Sequence, residues 1–127
     1  MKVKIDTKEK FHVIDMEETD ISANMTEEVK ELLLSYLNHE IKNVVVKFSA
    51  VRSIDKEAAT GLLKVQEIFY DNNCSLVFCE FQPAVIKYLD EIELLEIMNF
   101  TPTESEAWDI VQMEIIEREL LDDAPNH

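Results

Sequence analysis

Apolar and polar positions along this chain follow two different periods, and the period selects the element. "KVKIDT" and "FHVIDME" alternate in twos around the polar "KEK", which predicts a β-hairpin. Within "ISANMTEEVKELLLSYLNHE", Val29, Leu32, Leu33, Tyr36 and Leu37 recur at helical spacing. Asn24 or Thr26 can cap that helix, and Glu27 and Glu28 fall in its first turn, where the helix dipole favours anions. "NVVVKF" is short, β-branched and continuously apolar, the pattern of a buried strand. A second helix is predicted from about Lys56 to Asp71, with Asp55 at the N-cap position. Asn72 or Asn73 can take the left-handed conformation that ends it. "SLVFCEF" predicts another central strand, and "QPAVIKYLDEI" a helix with Pro83 near its first position. "EIMNF" is a short last strand. "TPTESEAWDIVQMEIIERELLDD" is a long last helix opened by a capping box, Thr103 and Glu106.

The order ββαβαβαβα separates successive strands by helices, which implies crossover connections and parallel pairing in the middle of the sheet. The opening hairpin adds an antiparallel edge. The expected fold is a small α/β domain with a mixed, mostly parallel sheet of about five strands and four helices. Its 127 residues, 46% hydrophobic, suit one domain over 1–123, with a frayed tail at 124–127.

Charge narrows the partners. The formal charge is −15, from 27 acids against 12 bases. Nucleic acid and anionic membrane surfaces need clustered Lys and Arg, so both are excluded as expectations, whereas a basic protein surface is not. No apolar run approaches the ~20 residues of a membrane span, and "MKVKIDTKEK" lacks a signal-peptide core. The expected location is the cytoplasm. Cys74 and Cys79 are an odd number of residues apart along a strand-like stretch, which places them on opposite faces as two buried thiols.

Catalytic chemistry finds no foothold. His12, His39 and His127 share no element at ligand spacing, and none pairs with a nucleophile. A single glycine leaves no glycine-rich phosphate loop. Nothing sets a metal geometry for the acids Glu91, Glu93 and Glu96. A receiver domain needs an aspartate at the end of a central strand, where this chain has Lys47, Phe48 and Ser49. The residues point to no enzyme, cofactor or metal.

Helix two carries the most informative surface. At 100° per residue, Ala58, Leu62, Val65 and Phe69 fall within about 60° and form the core stripe. Lys56, Thr60, Lys64, Glu67 and Asp71 lie opposite, with Glu57 close by and Leu63 and Tyr70 at the border. Polar groups flanked by large apolar ones suit a protein contact surface. Met113, Ile116 and Leu120 continue the last helix beyond the length that a small sheet needs. That end can pack on a second copy, on a partner, or on the domain's own edge.

The stretch "NVVVKFSAVRSIDKEAATGLL" resembles the signature of the STAS domain family, the anti-sigma factor antagonists and their relatives. The family pattern is an apolar strand, Asp-Leu-Ser, a short loop, and an apolar residue followed by Asp-Ser-Ser-Gly. "FQPAVIKYLDEIELLEIMNFTPTESEAWDIV" resembles the C-terminal third of such proteins. The resemblance implies that the Asp caps helix two and that the Ser after it accepts phosphate from a partner kinase. Ile54 and Asp55 match, but Lys56 stands at the phosphoacceptor, Glu57 at the second Ser and Ala58 at the Gly. Lys47 replaces the Asp of Asp-Leu-Ser, and Ser49 matches its Ser. The implied role is a bacterial, non-catalytic regulator of transcription signalling. It binds an anti-sigma factor or serine kinase through Ser53, Asp55, Lys56, Glu57, Thr60 and Lys64, with no phosphorylation at Lys56. The family also includes structural subunits of larger machines, such as lipid-transport ABC ATPases. Partner identity decides between the two.

Overall fold

Five of the strands form one sheet because their apolar residues alternate between two cores. The computed structural model describes residues 1–122. Strands β1 (Val3–Thr7), β2 (Phe11–Met16) and β3 (Asp20–Ile21) precede α1 (Thr26–Ser35). Then come β4 (Asn43–Lys47), β5 (Ser53–Ile54), α2 (Lys56–Asp71) and β6 (Leu76–Cys79). The last elements are α3 (Pro83–Glu91), β7 (Phe100–Thr101) and α4 (Glu104–Asp122). The main sheet has the order β1-β2-β4-β6-β7. Only the β1–β2 hairpin is antiparallel; the other three pairings are parallel. The expected mixed α/β fold is the observed one.

Ile14, Val44, Val46, Leu76 and Phe78 point to the face covered by the first three helices, in one core with Leu33, Leu62, Val65 and Phe69. Val13, Val45, Val77 and Cys79 point to the other face and meet Ala107 and Val111 of α4. Burial on both sides explains why β4 and β6 read as unbroken apolar runs. Cys74 and Cys79 lie in opposite cores as free thiols, as their spacing predicts. Burial pushes the Cys79 thiol up to about 12, with Glu80 and Glu104 adding to it, so the group stays protonated at neutral pH.

Several local expectations shift. The last strand is not "EIMNF": residues Leu95–Ile97 form a 3-10 turn, and the strand is Phe100–Thr101. Met98 turns into the core at 5% exposure, which bends the chain there. Neither Asn24 nor Thr26 caps α1, because a 3-10 turn at Ala23–Met25 runs directly into it. Of the two asparagines, Asn73 takes the left-handed conformation, at φ 58°. The Thr103 hydroxyl accepts from the Glu106 N–H at 3.2 Å, one half of the capping box. The tail at 124–127, with His127, lies outside the described residues. Among those residues, no helix is long and apolar enough to cross a membrane.

A polar network outside the sequence expectations anchors α4. Glu114 Oε1 accepts from the Tyr70 hydroxyl at 2.8 Å and the Ser75 hydroxyl at 2.6 Å. Arg118 donates to Ser75 Oγ at 2.9 Å, and the Asn99 side chain bonds Tyr70 Oη. Burial, and then the bond to Glu114, holds the Tyr70 hydroxyl far above its ordinary pKa. Tyr70, predicted at the border of an exposed surface, is turned into this network instead.

The chain's one glycine, Gly61, sits where α1 crosses α2. A Cβ there would lie 2.9 Å from Thr26 Cγ2 and 3.4 Å from Lys30 Cδ. Alanine gains about 1 kcal/mol of helix propensity over glycine. Gly61→Ala should nevertheless lower stability, because the Thr26 methyl belongs to a stiff, β-branched side chain. In a Thr26→Ser background, which removes that methyl, the same substitution should become neutral or stabilising. Urea denaturation of the four variants checks this; an equal effect in both backgrounds would refute the crossing argument.

Candidate partner-binding site

The loop entering α2 is clasped to the segment entering α1. Strands β3 and β5 pair in parallel, Asp20 opposite Ser53 and Ile21 opposite Ile54. Ile21 and Ile54 are 1% and 4% exposed, so this side of the short ribbon is pinned in the core. Their polar neighbours therefore face solvent and meet each other. Ser53 Oγ donates to Asp20 Oδ1 at 2.6 Å, and the Thr19 hydroxyl donates to Asp20 Oδ2 at 3.1 Å. The Arg52 N–H donates to the Thr19 carbonyl at 2.7 Å, and the Asp55 N–H to the Ile21 carbonyl at 2.9 Å. The bonds from Ser53 and then Thr19 hold the Asp20 carboxyl below the usual carboxylate range.

Asp55 completes the clasp in an unexpected way. Its backbone, at φ −75° and ψ 151°, is that of an N-cap residue, and its carbonyl accepts from the Ala59 N–H at 3.0 Å. Its carboxylate does not cap α2. Oδ2 instead accepts from the Ala23 N–H at 2.8 Å, at the head of the 3-10 turn before α1. A partner brought close by the β3–β5 pairing takes the place of the local one.

All six predicted binding residues, Ser53, Asp55, Lys56, Glu57, Thr60 and Lys64, are exposed. They follow one another from the clasp along the outer side of α2. Ala58, Leu62, Val65 and Phe69 are buried as expected, together with Ala59 and Gly61. Thr60 Oγ1 donates to the Lys56 carbonyl at 2.8 Å. Among the described residues, Arg52, Lys56 and Lys64 form no ion pair. Lys47, in contrast, lies 3.0 Å from Glu104 on the α4 face, and that bond raises its pKa. It takes no part in the α2 surface.

Two shallow grooves flank these residues. One, of about 280 Å³, runs from Arg52, Ser53 and Asp55 to Val85 and Tyr88 of α3. The other, of about 340 Å³, lies between Thr60, Leu63 and Lys64 and the 61%-exposed side chain of Ile97. Gln66 fixes the Ile97 loop. It donates to the Ile97 carbonyl at 2.9 Å and accepts from the Asn99 N–H at 2.8 Å. Arg52, Tyr88, Gln66 and Ile97 are absent from the sequence-derived set. Arg52 lies within the quoted signature and Gln66 on the predicted helix two, so both were within reach of pattern reasoning; Tyr88 and Ile97 arrive only by tertiary packing.

Among the described residues, no group of three or more His, Cys, Asp and Glu side chains could hold a metal ion. His12 is a packed residue: Nδ1 lies 2.9 Å from Thr7 Oγ1, Nε2 lies 3.0 Å from the Ile41 carbonyl, and the ring lies tilted against Tyr36 and edge-on to His39.

Residues 3–107 match the STAS domain. The chain belongs to the STAS domain family. Its fold is that of solved anti-sigma factor antagonists. An anti-sigma-factor antagonist (STAS) domain protein from Planctomyces limnophilus superposes with a TM-score of 0.72 at 14% identity, over 87% of this chain and 97% of that one. A variant of Moorella thermoacetica RsbS gives 0.71 at 23% identity, over 88% and 96%. The Bacillus cell fate determinant SpoIIAA, in its phosphorylated form, gives 0.62 at 14% identity, over 87% and 99%. No curated protein matches in sequence.

The clasp makes a titration prediction. A carboxyl whose folded pKa is depressed adds stability above its unfolded value, and that stability is lost as pH falls through the folded value. Asp20 should therefore support the clasp above the ordinary value of 3.8 and release it in more acidic solution. Ser53→Ala should move the Asp20 midpoint upward, towards 3.8, in a ¹³C-detected carboxyl titration. An unchanged midpoint would show that the Ser53 bond is not formed in solution.

Proposed function

We propose that this STAS domain is a non-catalytic, cytoplasmic protein-binding regulator of the anti-sigma factor antagonist type. It docks a partner on the exposed side of α2 and the clasp before it. The partner is an anti-sigma factor or serine kinase. Ser53, Asp55, Lys56, Glu57, Thr60 and Lys64 carry the contact.

The observation that supports this most is the exposed Lys56 at the first position of a clasped helix. By its match to the family signature, Lys56 stands where a phosphoacceptor serine is usual. A phosphoserine adds about −1.5 to −2 charge at pH 7 and so toggles a contact surface. Lysine carries a fixed positive charge and no hydroxyl. Neither neighbouring hydroxyl replaces it. Ser53 Oγ is 2.6 Å from the Asp20 carboxylate, where a phosphate would meet a like charge. Thr60 spends its proton on the Lys56 carbonyl. The surface is then permanently in one state, with Arg52, Lys56 and Lys64 complementary to an acidic patch on the partner.

The test is affinity capture of the tagged protein from its own cells, with Lys56→Ser and Lys56→Glu in parallel, read by mass spectrometry. A kinase-type ATPase or anti-sigma factor should bind wild type and weaken about tenfold or more with Lys56→Glu, roughly 1.4 kcal/mol. Only Lys56→Ser should gain phosphate when incubated with that kinase and ATP. Capture of an ABC-type ATPase would replace this reading with a structural-subunit role. Equal capture by wild type and Lys56→Glu would remove α2 as the contact.

A further inference from the structure

We infer that the outward side of α4 is a second docking surface and that its occupant is a basic amphipathic helix of another protein. Helix α4 packs on the sheet through Ala107 and Val111, 0% exposed, and is anchored near its end by Glu114 and Arg118. On a helical wheel, Met113, Ile116 and Leu120 fall within about 60° of one another, directly opposite that packed side. They are 49%, 54% and 67% exposed. An apolar row at i, i+3 and i+7 in the middle of the solvent side does nothing for the fold. It has the spacing by which one amphipathic helix reads another. The family match ends at residue 107, before this row.

Charge selects the occupant. Helix α4 holds seven acids against one base, Arg118, and that base is turned inward onto Ser75 and the Tyr70 ring. Two of the acids are engaged elsewhere, Glu104 with Lys47 and Glu114 in the buried network. Glu117 and Glu119 flank the apolar row, Asp109 stands in line with it one turn before Met113 and Glu106 about a turn earlier still, and among the described residues none of the four has an ion-pair partner. A second copy of this chain would set the same four acids against themselves, inside a molecule of net charge −15. A helix with a Leu- or Ile-rich face edged by Lys or Arg satisfies both the row and its border. The apolar row also opens sideways, past Ile116, into a groove of about 250 Å³ walled by Phe11, Trp108 and Ile115; Lys8, Glu9 and Lys10 line it too, Lys8 being paired with Asp6, so the groove takes an apolar side chain of the occupant and not one of its cations. That groove has room for one large apolar side chain of the incoming helix.

The probe is a synthetic helical peptide of Leu and Lys in amphipathic order, titrated into the full ¹⁵N-labelled chain. Amides of residues 109–121 should shift on binding. Affinity should fall about tenfold in Ile116→Gln/Leu120→Gln, which keeps every charge, and also in Asp109→Asn/Glu117→Gln, which keeps the apolar row. These positions are exposed, so both variants should retain the wild-type melting temperature. Lys56→Glu should leave peptide binding unchanged, which separates this surface from the one on α2. Equal affinity for wild type and Ile116→Gln/Leu120→Gln would reduce the effect to charge alone and overturn the proposal. So would a wild-type dimer in sedimentation that Ile116→Gln/Leu120→Gln dissolves, since the occupant would then be a second copy.

Discussion

The parallel pairing of residues 20–21 with 53–54 is the constraint on which the α2 surface depends. Two strands of two residues each are too short to be stable alone. They persist because Ile21 and Ile54 are buried beneath them and because Asp20 and Asp55 each take a hydrogen bond across the pair. The clasp couples the starts of two helices. Asp55 sets the first residue of α2 through its backbone and the entry to α1 through its carboxylate. An exposed helix end is thereby held in one conformation before any partner arrives, and preorganisation of that kind reduces the entropic cost of binding.

The electrostatics of that end are unusual for a helix start. A cation at the first position opposes the macrodipole, at a cost of about 0.3–1 kcal/mol when exposed. Glu57 in the first turn offsets part of it. The clasp acids Asp55 and Asp20 are held by Ala23 and Ser53, and among the described residues no acid pairs with Lys56. The positive charge is left available to a partner. On the opposite side of the sheet the logic is reversed. Lys47 and Arg118 are drawn inward by Glu104 and Ser75, and the acids of α4 are left outside. One small domain thus shows an edge of mixed charge with unpaired cations on one face and an acidic, apolar-centred helix on the other.

Most of the architecture was legible because it follows from period. Alternation gave the hairpin, unbroken apolar runs gave β4 and β6, and the stripe of Ala58, Leu62, Val65 and Phe69 gave the buried side of α2. The misplaced features share a cause. Asp55 and Tyr70 found partners far along the chain, Ala23 and Glu114, and no local rule supplies those. The strand expected at "EIMNF" slid to Phe100–Thr101 because Met98 is buried in the core, and two-residue strands such as β3 and β5 carry too few positions for a period to show. At the candidate site, the exposed polar residues were visible as a helix face. Tyr88 and Ile97, from α3 and the loop after it, reach that face only through packing.

Helix α2 begins as a prebuilt surface because its entry is clasped to that of α1. Amide hydrogen exchange of wild type against Asp55→Ala tests it most directly. Protection should fall together at Ala23 and across the α2 entry, while Val44–Val46 and Leu76–Phe78 in the central strands keep theirs. A loss confined to the α2 entry, with Ala23 and the start of α1 unchanged, would contradict it.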